Sequence, residues 1–166
     1  MPRHLRTQPD SAVDLDHTDP GPTDAVRHRR AGPALPPVVA YSAAWHPVLA
    51  VRTRARLADL NYDFDALQAL MTDHDWTTVA LAWRESRTVF HLRNPVPPGG
   101  VVEDPATGAV AAAFGGYLRE GKHVPTPVTI TILQEADMGR PSRITVGIRS
   151  GKDDGIDVTG TAVALS

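Results

Sequence analysis

The sequence predicts an α+β fold, and three observations carry that reading. About seven short stretches alternate apolar and polar residues as strands do. Two stretches have helical periodicity. The second of these, over residues 105–118, is apolar on every side, so surrounding sheet has to bury it.

Taken in order, residues 1–35 mix Pro, Asp, Arg and His with few apolar anchors. Such a segment buries too little surface to offset its ordering entropy and reads as a disordered tail. Seven of the fifteen prolines precede residue 40, whereas all nine aromatic residues follow it. The tail is therefore bounded at 1–35 and the folded domain at 36–166. RHRR at 27–30 is basic, but Asp14, Asp16, Asp19 and Asp24 lie close by, which suits a solvated tail.

PPVVAYSA and WHPVLAVR, on either side of Ala44, read as strands, with Pro47 expected near an edge or a strand end. YDFDALQALMTDHD places Phe64, Leu67, Leu70 and Met71 on one helical stripe, with Asp63 as N-cap. WTTVALAWR and TVFHLRN are strands joined by ESR, and NPVPPGG is a loop. VTITILQ directs Val128, Ile130 and Ile132 to one face, and RITVGIRS does the same with Ile144, Val146 and Ile148. GKDDG is a hairpin turn. The last strand alternates Ile156 and Val158, and a bulge at Gly160 would restore the phase of Val163 and Leu165.

Net charge is −2, so neither nucleic acid nor an anionic membrane is an expected partner. The absence of cysteine excludes disulfides, thiolate catalysis and zinc-thiolate sites. No apolar run reaches the ~20 residues of a membrane span, and residues 1–20 lack the apolar core of a signal peptide; a cytoplasmic location is expected.

The chemistry concentrates in VVEDPATGAVAAAFGGYLREG, residues 101–121. Pro105 has φ preset for a first helical turn and lacks an N–H that would need a partner, which places Asp104 at a cap position. The Asp104 carboxylate would then accept N–H groups of Thr107 or Gly108. If it turns away, those donors form an anion site. The helix beyond is Ala- and Gly-rich, small enough for sheet to approach closely. Gly115 and Gly116 cost it about 1 kcal/mol each relative to Ala, which close packing or an early helix end would explain.

GGVVEDPATGA, QEADMGRPSRITV and the closing V-TGTAV strand, in this order and spacing, resemble the C-terminal half of the phenazine-biosynthesis PhzF-like isomerase family. The resemblance runs from about Pro36 to the end. It implies a diaminopimelate-epimerase-like fold of two similar α+β domains. Each would be a curled mixed or antiparallel sheet around a central buried helix, and this chain would hold one half. It further implies cofactor-free proton transfer at carbon in a small carboxylate substrate, in a cleft facing the N-termini of both central helices. Asp104 would lie next to the shuttled proton, and the backbone of Thr107, Gly108 and Ala109 would hold the substrate carboxylate. Donors at a helix start favour the growing negative charge as a carbon acid ionises.

The departures also matter. The family's principal acid/base glutamate and a histidine-bearing Gly-rich turn belong to the other half, and residues 1–35 are too short and polar to replace it. Ala109 stands where many members have Ser, and Gln134-Glu135 where Gln-Gly is common. A chain of this kind is expected to need a complementary N-terminal domain, or to cover its interface by homodimerisation, and to be inactive alone. The other reading is a non-catalytic domain that binds small carboxylates or a protein.

Other residues weigh less. The seven histidines show no HxxxH or HxH spacing, and no metal is expected. Glu103 competes with Asp104 as the acid/base, but neighbours on a strand point opposite ways, and the motif favours Asp104. Arg140 reads as a turn arginine paired with a carboxylate such as Asp137. Trp45, Trp76 and Trp83 read as core or domain-interface residues.

Overall fold

The computed structural model describes residues 5–6, 35–134 and 142–160. The expected tail at 1–35 falls largely outside these residues, as do Glu135, Asp137 and Arg140 and the chain beyond Gly160, including the expected phase change.

Among the described residues the strands are β1 (Leu5–Arg6), β2 (Val38–Ser42), β3 (Ala44–Ala50), β4 (Ala80–Arg84), β5 (Val89–Arg93), β6 (Pro95–Val96), β7 (Val101–Glu103), β8 (Val128–Gln134), β9 (Ser142–Ile148) and β10 (Ile156–Gly160). The helices are α1 (Arg54–Ala58), α2 (Phe64–Asp73) and α3 (Gly108–Glu120). Eight strands form one sheet in the order β1-β2-β3-β4-β5-β8-β9-β10. The β3–β4 and β5–β8 pairs are parallel and the others antiparallel, so the sheet is mixed. Each parallel pair needs a crossover. The first carries α1 and α2, the second β6, β7 and α3. The α+β class and the curled sheet around a buried helix are as expected.

The sheet curls because α3 packs against β2 and β3 near one end of the strand order and β9 and β10 at the other. Val110, Ala111, Ala113, Phe114, Tyr117 and Leu118 are all buried, and Phe114 meets Phe90 edge-on with ring centroids 5.2 Å apart. Gly115 explains the close approach. A Cβ there would lie 2.9 Å from Ile156 Cγ2 and 3.0 Å from Val146 Cγ1, whereas one at Gly116 would meet nothing. A second, smaller core of Leu57, Met71, Val79 and Leu81 lies under α1 and α2 on the outer face, with Trp76 and Trp83 against it. Trp45 packs on Tyr41 instead.

Asp63 caps α2 through Ala66 N–H, as its sequence predicts. Pro47 sits inside the sheet order, but one residue before the β4 ladder begins at Val48. Two features depart from expectation. RTRARLAD forms the short helix α1, capped by Thr53. The expected NPVPPGG loop contributes β6 and a 3-10 turn, Pro97–Gly99, before pairing back onto β7.

Candidate active site at the start of the buried helix

Helix α3 starts at Gly108, not at Pro105, and its N-cap is Thr107, whose side chain makes no cap bond. The expected capping by Asp104 is therefore corrected. Asp104 folds onto its own loop: Oδ1 accepts Ala106 N–H at 3.3 Å and Oδ2 accepts the Thr107 hydroxyl at 2.6 Å. An aspartate two residues from its donor closes an Asx-type turn, which competes with capping. The first backbone bond into α3 is Ala111 N–H to Thr107 O. The N–H groups of Gly108, Ala109 and Val110 thus precede the helical ladder and have no side-chain cap, at the positive end of a 13-residue helix.

The loop is pinned on both sides. Asp104 N–H donates to Asn94 O at 3.0 Å, and Ser142 Oγ donates to Pro105 O at 3.0 Å. Ser142 is in turn the cross-strand partner of Gln134. Asp104, Thr107 and Ala109 are partly exposed and Gly108 is exposed, so all four expected site residues are accessible at the start of α3.

Glu103 points elsewhere. It is buried, and its Oε1 lies 2.5 Å from Arg93 Nη2. The Arg93 Nη1 donates to the carbonyls of Leu57 and Ala58 at the end of α1. Glu103 and Arg93 thus tie the outer helix to the sheet, and of the adjacent acids only Asp104 faces the mouth.

Sequence reasoning passed over a polar layer beneath this loop. The inward positions of the main core are apolar until the end of the sheet that faces the α3 start. There Phe90 and Leu92 are followed by Asn94, Ile130 and Ile132 by Gln134, while Thr78 precedes Ala80 and His46 precedes Val48. All four polar residues are buried. Each lies within a stretch read as a strand, on the same alternation as its apolar core residues. His46 Nε2 donates to Ser42 O at 3.3 Å, and Nδ1 accepts from the Thr78 hydroxyl at 2.9 Å. Burial pushes the His46 pKa below its ordinary 6.5, against the opposing effect of hydrogen bonding to the Ser42 and Thr78 backbone. Among the described residues, both amide atoms of Asn94 and the Gln134 Nε2 have no hydrogen-bond partner. Among the described residues no three His, Asp or Glu side chains gather where they would hold a metal ion, and no helix is long and apolar enough to cross a membrane.

The model of the phenazine biosynthesis-like protein family, PhzC-PhzF, matches residues 11–166. The chain belongs to the PhzC-PhzF family. The Pseudomonas aeruginosa trans-2,3-dihydro-3-hydroxyanthranilate isomerase is 33% identical over 108 residues, 61% of this chain and 39% of that protein. The Schizosaccharomyces pombe protein antisense-enhancing sequence 1 is 28% identical over 129 residues, 76% of this chain and 44% of that one. The crystal structure of a Bacillus anthracis PhzF-family protein superimposes with a TM-score of 0.62 at 16% identity, covering 75% of this chain and 44% of that one. This PhzC-PhzF chain thus spans less than half the length of these relatives, with the EDPATG motif at the mouth of its curled sheet.

Proposed function

We propose that this chain carries the α3 side of the active site of a cofactor-free isomerase that moves a proton between carbon positions of a small carboxylate substrate. One observation carries the reading. Asp104 bonds Ala106 N–H and the Thr107 hydroxyl rather than the helix start, so the exposed N–H groups of Gly108 and Ala109 carry no side-chain cap. Family membership and the isomerase name of the P. aeruginosa relative support it.

In this mechanism the backbone N–H groups of Thr107, Gly108 and Ala109 hold the substrate carboxylate at the positive end of α3. Negative charge spreads toward that carboxylate as a carbon–hydrogen bond opens, and the same donors stabilise it. Asp104, held in place by the Thr107 hydroxyl, stands beside the proton in transit. Returning that proton to a different carbon completes the isomerisation with no net change in oxidation state. A complementary N-terminal half supplies the second acid/base group and closes the mouth, where Val101 and Val102 are exposed. Without it the chain is inactive. The site calls for no metal or cofactor, and the protein works in the cytoplasm.

A second reading has its own support. With Glu103 held by Arg93, Asp104 is the carboxylate that the EDPATG loop leaves to the mouth. On its own the chain would then bind a small carboxylate without turning it over.

Solvent deuterium incorporation into trans-2,3-dihydro-3-hydroxyanthranilate separates the two. The isomerase reading predicts incorporation when the chain is combined with a complementary half, and its loss in Asp104→Asn. No incorporation from that compound or a panel of small carboxylates, with or without the added half, leaves the binding reading.

A further inference from the structure

The polar layer under the EDPATG loop has two different halves. His46 and Thr78 satisfy each other and Ser42, as buried polar groups in a core do. Asn94 is 1% exposed and Gln134 2% exposed, yet among the described residues the Asn94 Oδ1 and Nδ2 and the Gln134 Nε2 have no hydrogen-bond partner. Leaving such atoms unmatched is costly, and a core position could have held Leu. Gln134 is the last residue of β8 and Asn94 follows the last residue of β5, its parallel neighbour, so both lie at the same end of the sheet. Both are also tied to the site loop, Asn94 through its carbonyl to Asp104 and Gln134 through its strand partner Ser142 to Pro105.

We infer that Asn94 is a specificity-determining residue of this mouth, whose carboxamide binds a neutral substrate substituent that both donates and accepts a hydrogen bond, with Gln134 adding a second donor. The inference rests on the proposed use of the α3 start as the carboxylate site. The donor at Nδ2 and the acceptor at Oδ1 sit side by side, which matches a carboxamide in the ligand or a hydroxyl. A charged substituent is not matched there: the neighbouring polar groups His46 and Thr78 are already bonded to one another, and Glu103 is engaged with Arg93. The substrate class is thus a small carboxylate with a hydroxyl or amide placed to reach below the loop while its carboxylate rests on Gly108 and Ala109.

The test is a titration of the isotope-labelled full chain, followed by NMR, with acetate, acetamide, propanoate and malonamate as separate probes. Acetamide is expected to move the side-chain NH2 signals of Asn94 and Gln134. Malonamate is expected to bind roughly tenfold tighter than propanoate, the gain that one or two neutral hydrogen bonds supply. Asn94→Leu removes the acetamide response and the malonamate preference, keeps the acetate response of Gly108 and Ala109, and melts no lower than the parent. Asn94→Ala, which cannot overpack, replaces it if the leucine variant does not fold. Equal binding of malonamate and propanoate, a preference that survives in the variants, or a leucine variant that folds but melts well below the parent would each overturn the inference. If acetate moves Gly108 and Ala109 but acetamide leaves Asn94 still, the amide subsite alone fails. If acetamide moves Asn94 but acetate does nothing, the carboxylate reading fails and the amide subsite stands.

Discussion

Arg93 Nη2 lies 2.5 Å from Glu103 Oε1, and the same guanidinium holds the Leu57 and Ala58 carbonyls of α1. Glu103 is buried and Arg93 mostly so, so removing one leaves the other charge uncompensated. Glu103→Ala is expected to cost about 3–5 kcal/mol in chemical denaturation. Its neighbour behaves oppositely. Asp104→Asn keeps an acceptor for the Thr107 hydroxyl and changes stability by less than about 1 kcal/mol, while abolishing the deuterium incorporation expected with a complementary half. Equal stability losses in the two variants would remove the division of labour between these acids.

The two central glycines of α3 also divide. Gly115→Ala pushes a methyl against Ile156 and Val146 and is expected to destabilise by about 1–3 kcal/mol. Gly116→Ala meets open space and gains helix propensity, stabilising by up to about 1 kcal/mol. Thermal melts of the two variants should move in opposite directions.

His46 makes stability depend on pH. Burial holds its folded pKa below the 6.5 of the unfolded chain, so the unfolded state binds the proton more readily. Its contribution is fully present above pH 6.5 and is lost as pH falls through the lower folded value. His123 is shifted the same way, by burial and then by Arg84, and adds to the slope. Melting temperature is expected to fall between pH 7 and pH 5, less steeply in His46→Gln; an unchanged slope in that variant would assign the effect elsewhere.

Tyr117 acts at the other end of the scale. Its buried hydroxyl donates to Pro36 O at 2.8 Å, and burial pushes its pKa from 10.0 up to about 12. The contribution is complete below pH 10 and is lost as pH rises toward 12. Tyr117→Phe is expected to cost about 0.5–1.5 kcal/mol at neutral pH and to lose that alkaline slope.

Much of this architecture was legible. The alternation of β8 and β9 and the all-round apolar α3 each state a burial pattern that tertiary packing confirms, whereas of the α2 stripe only Met71 is fully buried, with Leu67 packed beside it. Short elements were not. Helix α1 has a single buried anchor, Leu57, too little for a period to show, and β6 is two residues long. Asp104 was expected as a cap because Pro105 suits a first helical turn. Its carboxylate instead found Ala106 N–H and the Thr107 hydroxyl, a local competition that spacing alone does not decide. Asn94 was not singled out, and Gln134 was read only as a motif residue, because each lies where a strand ends and its alternation stops being read.

The central claim is that the first N–H groups of α3 hold a substrate carboxylate, and Gly108→Pro tests it most directly. Thr107 has extended backbone, φ −102° and ψ 102°, as a residue before proline requires, and a Cβ at Gly108 meets nothing. Proline at a first helical position keeps the helix and removes only the Gly108 N–H. The measurement is the affinity of parent and variant for 3-hydroxyanthranilate, a stable aromatic carboxylate, with a melt alongside. The account predicts an unchanged or higher melting temperature and an affinity at least roughly tenfold weaker in the variant. A variant that binds the carboxylate as well as the parent, or a parent that does not bind it at all, would contradict it.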